Sequence, residues 1–252
     1  MAARILAVAN QKGGVAKTTT VHCLGAALTE RGQRVLLVDL DPQACLTFST
    51  GIDPDSLEVS LHDVLVGRSD AASVLLEASG MSLLPATIDL AGAEVHLLTR
   101  PGREHALARA IAPLLDDFDM VLIDCPPSLG VLTINGLTAA QGVLIPLQCE
   151  TLSHRGVGQL LETIGDVRDF TNPALAVEGV VATMFDPRTR LANQTLASVG
   201  EAYSLEVLDP PIPKSVRVAE APGRGVSVLT SAPHSPPAEA YRALAAHWDP
   251  RR

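Results

Sequence analysis

Aromatic side chains are scarce in this chain, at 3% of 252 residues. A core of any size must therefore be built from Ala, Val, Leu and Ile, a composition that suits buried parallel strands. Long hydrophobic runs are missing as well: none approaches the ~18–20 residues of a membrane span. The four cysteines (Cys23, Cys45, Cys125, Cys149) contain no C-x-x-C pair, which argues against a disulfide framework or an iron–sulfur cluster and for packed, reduced thiols. The sequence opens on a strand-like stretch, Arg4–Ala9, rather than a signal peptide, so a cytoplasmic location is expected. Basic residues are outnumbered, 19 against 28 acidic, for a net charge of −9. Nucleic-acid binding driven by overall charge is thereby disfavoured, although a local basic face is not.

What is present is globular: 47% of residues are hydrophobic and 19% charged, enough for a two-faced core. Short apolar runs at 4–9, 34–38 and 120–123 are too brief for helices, and further runs at 81–85, 142–147 and 177–184 share their character. Between them lie stretches of helical character at 18–30, 60–66, 91–98, 104–115, 154–167, 191–203 and 237–248. Proline- and glycine-rich stretches at 209–213 and 221–225 read as loops at the carboxyl edge of the sheet. Strand alternating with helix predicts an α/β fold, a mostly parallel sheet with helices on both faces. No repeat or long linker divides the chain, so one domain over residues 1–252 is expected.

Three strands run straight into chemistry. The first leads into Gln11-Lys-Gly-Gly-Val-Ala-Lys-Thr-Thr19 and then a helix, where successive backbone N–H groups and the helix N-terminus converge on a site for phosphate oxygens. Gly13 and Gly14 allow close approach, and Val15, Ala16 and Thr19 complete the loop. Lys17 would reach the β/γ-phosphates and the Thr18 hydroxyl would help hold Mg²⁺. Gln11 and Ala16 replace the two glycines of the strict pattern. The second strand leads into Asp39-Leu-Asp41, where alternation puts two carboxylates on one side of the chain; the alternative is that one only caps the following helix. The third leads into Asp124-Cys-Pro-Pro127. A carboxylate there can meet Mg²⁺ through its water, and Pro126, Pro127 and Gly130 suit a loop that responds to the γ-phosphate.

Lys12, a second lysine ahead of the two glycines and five positions before Lys17, makes this the deviant form of the phosphate loop. The sequence resembles the ParA/MinD class of P-loop ATPases, and within it the short partition ATPases of the ParA type. The resemblance runs through Asn10–Gly14, Val38–Gln43, Leu90–Glu94, Asp124–Gly130, Ile145–Glu150, Thr183–Arg190 and Ile212–Pro222. It implies a P-loop ATPase using ATP and Mg²⁺, with Lys12 crossing a homodimer interface to the partner's phosphates. It further implies Asp41 positioning the attacking water, Asp39 nearer the magnesium shell, and Met184 with the Pro213–Ser215 loop around the adenine. A plain strand-end core methionine is the alternative for Met184. Arg188 and Arg217 are the DNA contacts that the resemblance suggests, but the stretch from Asp186 to Arg224 holds five basic and five acidic residues. Only folding could gather a basic face there, and a solvated surface is the alternative.

The implied function is an ATP-dependent dimerising switch for chromosome or plasmid partition that binds DNA non-specifically and is turned over by a ParB-like partner. The alternative is a relative that positions another cargo, such as a chemoreceptor array or a protein microcompartment. A membrane partner is not expected, because the stretch 241–252 lacks a basic amphipathic anchor. Three departures from the family's usual pattern stand out: Ala16 in place of Gly, Lys214 in place of Arg, and Thr151–Arg155 in place of a more aromatic, acidic stretch.

Overall fold

The computed structural model describes residues 3–150 and 153–249. Eight strands form one sheet: β1 (Arg4–Val8), β2 (Val35–Asp39), β3 (Leu76–Ala78), β4 (Met81–Leu84), β5 (Met120–Asp124), β6 (Gly142–Gln148), β7 (Ala176–Thr183) and β8 (Val207–Leu208). Their order is β3-β4-β2-β5-β1-β6-β7-β8. Every pair is parallel except β3–β4. That antiparallel pair at one edge departs from the simple alternation that the sequence suggests.

Helices α1 (Lys17–Glu30), α2 (Cys45–Ser49), α3 (Leu61–Val66), α4 (Ala71–Val74), α5 (Leu90–Leu98) and α6 (Ala106–Ile111) occupy the first half. They are followed by α7 (Val131–Ala139), α8 (Ser153–Phe170), α9 (Arg190–Tyr203), α10 (Val216–Glu220), α11 (Val228–Ser231) and α12 (Pro236–Ala245). The helix expected over 104–115 is broken: α6 gives way to a 3₁₀ segment at Ala112–Asp117, because Pro113 has no N–H to continue the ladder. Ser60 stands just outside α3 as its cap, in a reciprocal capping box with Asp63.

The strands are buried on both faces, and their alternating side chains feed two separate cores. Ile5, Ala7, Leu36, Val38, Val121 and Ile123 pack with α3, α5, α6, α7 and α8 on one side. Leu6, Val8, Leu37, Leu122 and Leu144 pack with α1, α12 and Trp248 on the other. Gly25 sets the distance of α1 from the sheet, since a Cβ there would come within 2.9 Å of the Leu37 and Met81 side chains. Central β1 lies between β5 and β6. The chain therefore leaves it at a place where the sheet's connections diverge, the usual ligand crevice of an open α/β sheet.

Candidate nucleotide site

The crevice begins with the loop from Ala9 to Ala16 and the start of α1. Gly14 has φ +74 and Ala16 has φ +65. This left-handed backbone bends the chain sharply into the helix without a side-chain cap on its first turn. The amide groups of that turn are thus left for a ligand, and the helix dipole favours an anion there. A Cβ at Gly13 or Gly14 would meet nothing within 4 Å, so it is the positive φ of Gly14, not crowding, that favours glycine there.

Buried polar side chains tie this loop down. The Asn10 amide donates to Pro146 O in β6 (2.8 Å), while its oxygen accepts from Lys12 N (3.0 Å). The Thr183 hydroxyl at the end of β7 donates to Val15 O (3.0 Å). These anchors escape a motif reading, because only the spatial neighbourhood of β6 and β7 reveals what Asn10 and Thr183 hold.

The two lysines are placed differently. Lys17 is 7% exposed and its ammonium donates to Lys12 O at 3.2 Å across the loop. Burial pushes its pKa below the usual lysine range, against the pull of Asp124 and Asp41. Lys12 instead reaches Glu150 beyond β6, Nζ to Oε2 at 2.5 Å, with about a third of its side chain exposed. Glu150 is a residue to which the sequence assigned no role of its own.

Asp39 and Asp124 sit opposite each other in the register of β2 and β5, and Asp124 sits opposite Val8 of β1. The row leads directly to the phosphate loop. Both carboxylates are fully buried. Asp39 accepts from the Thr47 amide and hydroxyl (2.8 and 2.7 Å) and from Asp41 N (3.2 Å). Burial raises its pKa to about 6, opposed by the Thr47 bonds. Asp124 has no hydrogen-bond partner on either oxygen. Burial, then the Asp39 charge, lift its pKa well above the carboxylate range, while the nearby Thr18 hydroxyl and Lys17 oppose the rise. Asp41 is 9% exposed and accepts from Gln43 N (2.9 Å).

A hard divalent cation suits this arrangement. Two orphaned carboxylate oxygens beside a threonine hydroxyl, next to a phosphate cradle, are what Mg²⁺ needs when phosphates and water complete its shell. Asp124 and Thr18 are the residues that would hold it. Asp39 is adjacent, but its oxygens are already engaged by Thr47 and Asp41, so its first task is to seat α2. Among the described residues no group of three or more His, Cys, Asp or Glu has metal-binding geometry.

The residues expected at the adenine end come together. Met184 follows β7 with φ +49. Phe185 then pairs with Pro213, through Phe185 N to Ile212 O (2.9 Å) and Lys214 N to Phe185 O (3.2 Å). Met184, Pro213 and Ser215 are half-buried along this edge, joined to the phosphate loop through Thr183. The suggested DNA contacts are less uniform. Arg188 is exposed but makes a two-pronged pair with Asp186 (2.9 and 3.0 Å). Arg217, Lys214 and Arg224 are exposed and have no ion-pair partner among the described residues. Thr151 and Leu152, part of the departing stretch after Glu150, lie outside the described residues.

Comparison with known proteins shows what the chain as a whole is similar to. A family model described as an AAA domain matches residues 3–177. The sporulation initiation inhibitor protein Soj of Bacillus subtilis is 43% identical, over 96% of each chain. The chromosome partitioning protein ParA of Caulobacter vibrioides is 45% identical, over 90% of this chain and 86% of its own. A structure described as cobyrinic acid a,c-diamide synthase from Mycobacterium smegmatis, with bound ADP and magnesium, superimposes with a TM-score of 0.88. It is 56% identical, and the match covers 99% of this chain and 97% of that one.

Proposed function

Because the chain belongs to the Soj/ParA family of P-loop ATPases, we propose that it is an ATP-controlled switch for chromosome partition. It is an ATPase with ATP and Mg²⁺ as cofactors. In this reading two copies close over a pair of nucleotides, the dimer binds DNA non-specifically, and a ParB-like partner stimulates hydrolysis and release. Among the described residues no helix is long and apolar enough to cross a membrane.

The observation that carries the reading is the different placement of Lys12 and Lys17. Lys17 is buried over its own loop, while Lys12 is held at the rim by Asn10 and Glu150. In this reading the rim ammonium would leave Glu150 for the phosphates of a facing copy and neutralise charge that two nucleotides crowd together, as an arginine finger does. Within one copy, the loop amides and Lys17 bind and orient the phosphates, and Asp41 holds the attacking water. Bound Mg²⁺ would supply charge neutralisation at the phosphate oxygens. Met184, Pro213 and Ser215 would enclose the base. DNA contact falls to Arg217, with Lys214 and Arg224 beside it; Arg188 contributes once phosphate displaces Asp186 from its guanidinium.

The test is DNA retention measured with ATP, ADP and no nucleotide across a salt series. Binding seen only with ATP, and weakening steeply with salt as phosphate contacts do, supports the switch. Equal retention in all three nucleotide states refutes it.

The identity to the Mycobacterium smegmatis protein favours one other reading, in which the same loop serves amide formation on cobyrinic acid. ATP consumption that requires cobyrinic acid and ignores DNA would select that reading. Turnover without cobyrinic acid, raised by DNA and partner, would select the switch.

A further inference from the structure

A cavity of about 570 Å³ opens between α3, α4, α5 and α6. Its lining includes three arginines, Arg100, Arg103 and Arg109, and the exposed or half-buried apolar residues Ala106, Ala110 and Pro113, over a floor of buried leucines. None of the nucleotide-site residues contributes to it. No part of the proposed switch uses it.

The arginines are pinned by backbone carbonyls. Arg100 donates to Val66 O (2.9 Å), Arg103 to Leu98 O (2.6 Å) and Arg109 to Gly102 O (3.1 Å). Two of these carbonyls are at helix C-terminal ends, α3 and α5, where a cation is favoured. Helix capping uses only one of the five donors on each guanidinium. Arg103 also pairs with Glu104, whereas Arg100 and Arg109 have no carboxylate partner among the described residues. The carboxylate on the rim, Asp70, accepts from Ser73 N as the cap of α4. In a protein of net charge −9, a concave wall with two uncompensated guanidinium groups is a local reversal of sign. Fixed guanidinium forks match carboxylate and phosphate oxygens. Ala106, Ala110 and Pro113 in the same lining are exposed or half-buried and match an apolar body, and the volume is that of a small-molecule site.

We infer that this cavity binds a small amphipathic anion, with a carboxylate or phosphate head on Arg100 and Arg109 and an aliphatic body against Ala106, Ala110 and Pro113. The two heads share one chemistry, and octanoate and octyl phosphate tell their sources apart.

Titration of the whole protein with each anion, and with octanol and octyltrimethylammonium as controls, is followed by backbone amide NMR shifts. The expected result is saturable binding of at least one anion, with shifts confined to α3–α6 and neither control bound. Stronger binding of octyl phosphate assigns the site to a phosphate ester, and stronger binding of octanoate assigns it to an organic acid. R100Q/R109Q should weaken binding at least tenfold while ATP turnover stays unchanged. Ala110→Phe, which fills the cavity without touching the charges, should do the same if the double variant folds poorly. Absence of saturable binding by both anions, shifts elsewhere, or full binding by both variants would overturn the assignment.

Discussion

Asp39 and Asp124 occupy the same register position on neighbouring strands, equally buried, yet only Asp39 has its oxygens satisfied. An unpartnered buried carboxylate destabilises the fold, by about 1–3 kcal/mol once its burial without partners is counted, and its persistence points to a cation that only the loaded site supplies. Asp124→Asn should therefore raise the melting temperature of the ligand-free protein by a few degrees. The same change should cost at least about a hundredfold in magnesium-dependent ATP turnover. Calorimetry with and without MgATP checks both halves. A variant that melts lower without ligand would mean that Asp124 is a structural residue.

The central part of this site is legible in sequence because β1, β2 and β5 are short apolar runs that end at Asn10, Asp39 and Asp124. The expectation of phosphate and metal chemistry there rests on residue type and position, whereas the roles suggested for Lys12, Asp41 and Met184 rest on the family resemblance. The periphery is less legible. β3 and β8 have three and two residues, too few for a period to register. α7 is hidden because it is apolar almost all round, with Thr133, Asn135 and Gly136 buried among its leucines. α2 starts from Ala44 at φ +53 without a side-chain cap, so no sequence signal marks it. The link that Asp39 makes to Thr47 depends on that unseen helix, and for this reason a pairing of Asp39 with magnesium looks simpler in sequence than in space.

Lys12 and Glu150 form an exposed ion pair, and such pairs add little to stability. Lys12→Ala should leave the melting temperature and the binding of ATP by a single copy nearly unchanged, while abolishing ATP-dependent dimerisation. Size measurement with a non-hydrolysable ATP analogue reads this directly. Normal dimers of the variant would remove Lys12 from the interface.

Ala16 holds a left-handed backbone, φ +65, at the entrance to α1, a conformation that costs an L residue about 1–2 kcal/mol relative to glycine. Glycine gives back part of that gain through its freer unfolded chain. The expected net effect of Ala16→Gly is a stabilisation of about 0.5–1 kcal/mol, with nucleotide affinity equal or tighter. Chemical denaturation and nucleotide titration measure the two quantities; destabilisation by glycine would show that the alanine methyl packs favourably.

His22 lies inside α1, 2% exposed, and its Nε2 has no hydrogen-bond partner. Burial lowers its pKa from 6.5 to about 4, so the unfolded chain takes up a proton near pH 6.5 that the native chain refuses until near pH 4. Between those values the unfolded state binds more protons, and stability falls as the pH falls, by about 3 kcal/mol across the window. Asp39 works in the opposite sense: its raised pKa of about 6 makes the native state the better proton acceptor between that value and the ordinary carboxylate range. The two effects overlap in a single denaturation curve, and a difference between variants separates them. His22→Leu should flatten or reverse the loss of stability between pH 6.5 and 4 while leaving stability at pH 7.5 close to that of the parent. Equal slopes for the two proteins would mean that His22 becomes protonated in the folded state at its ordinary pKa, which requires a partner for Nε2 or access to water.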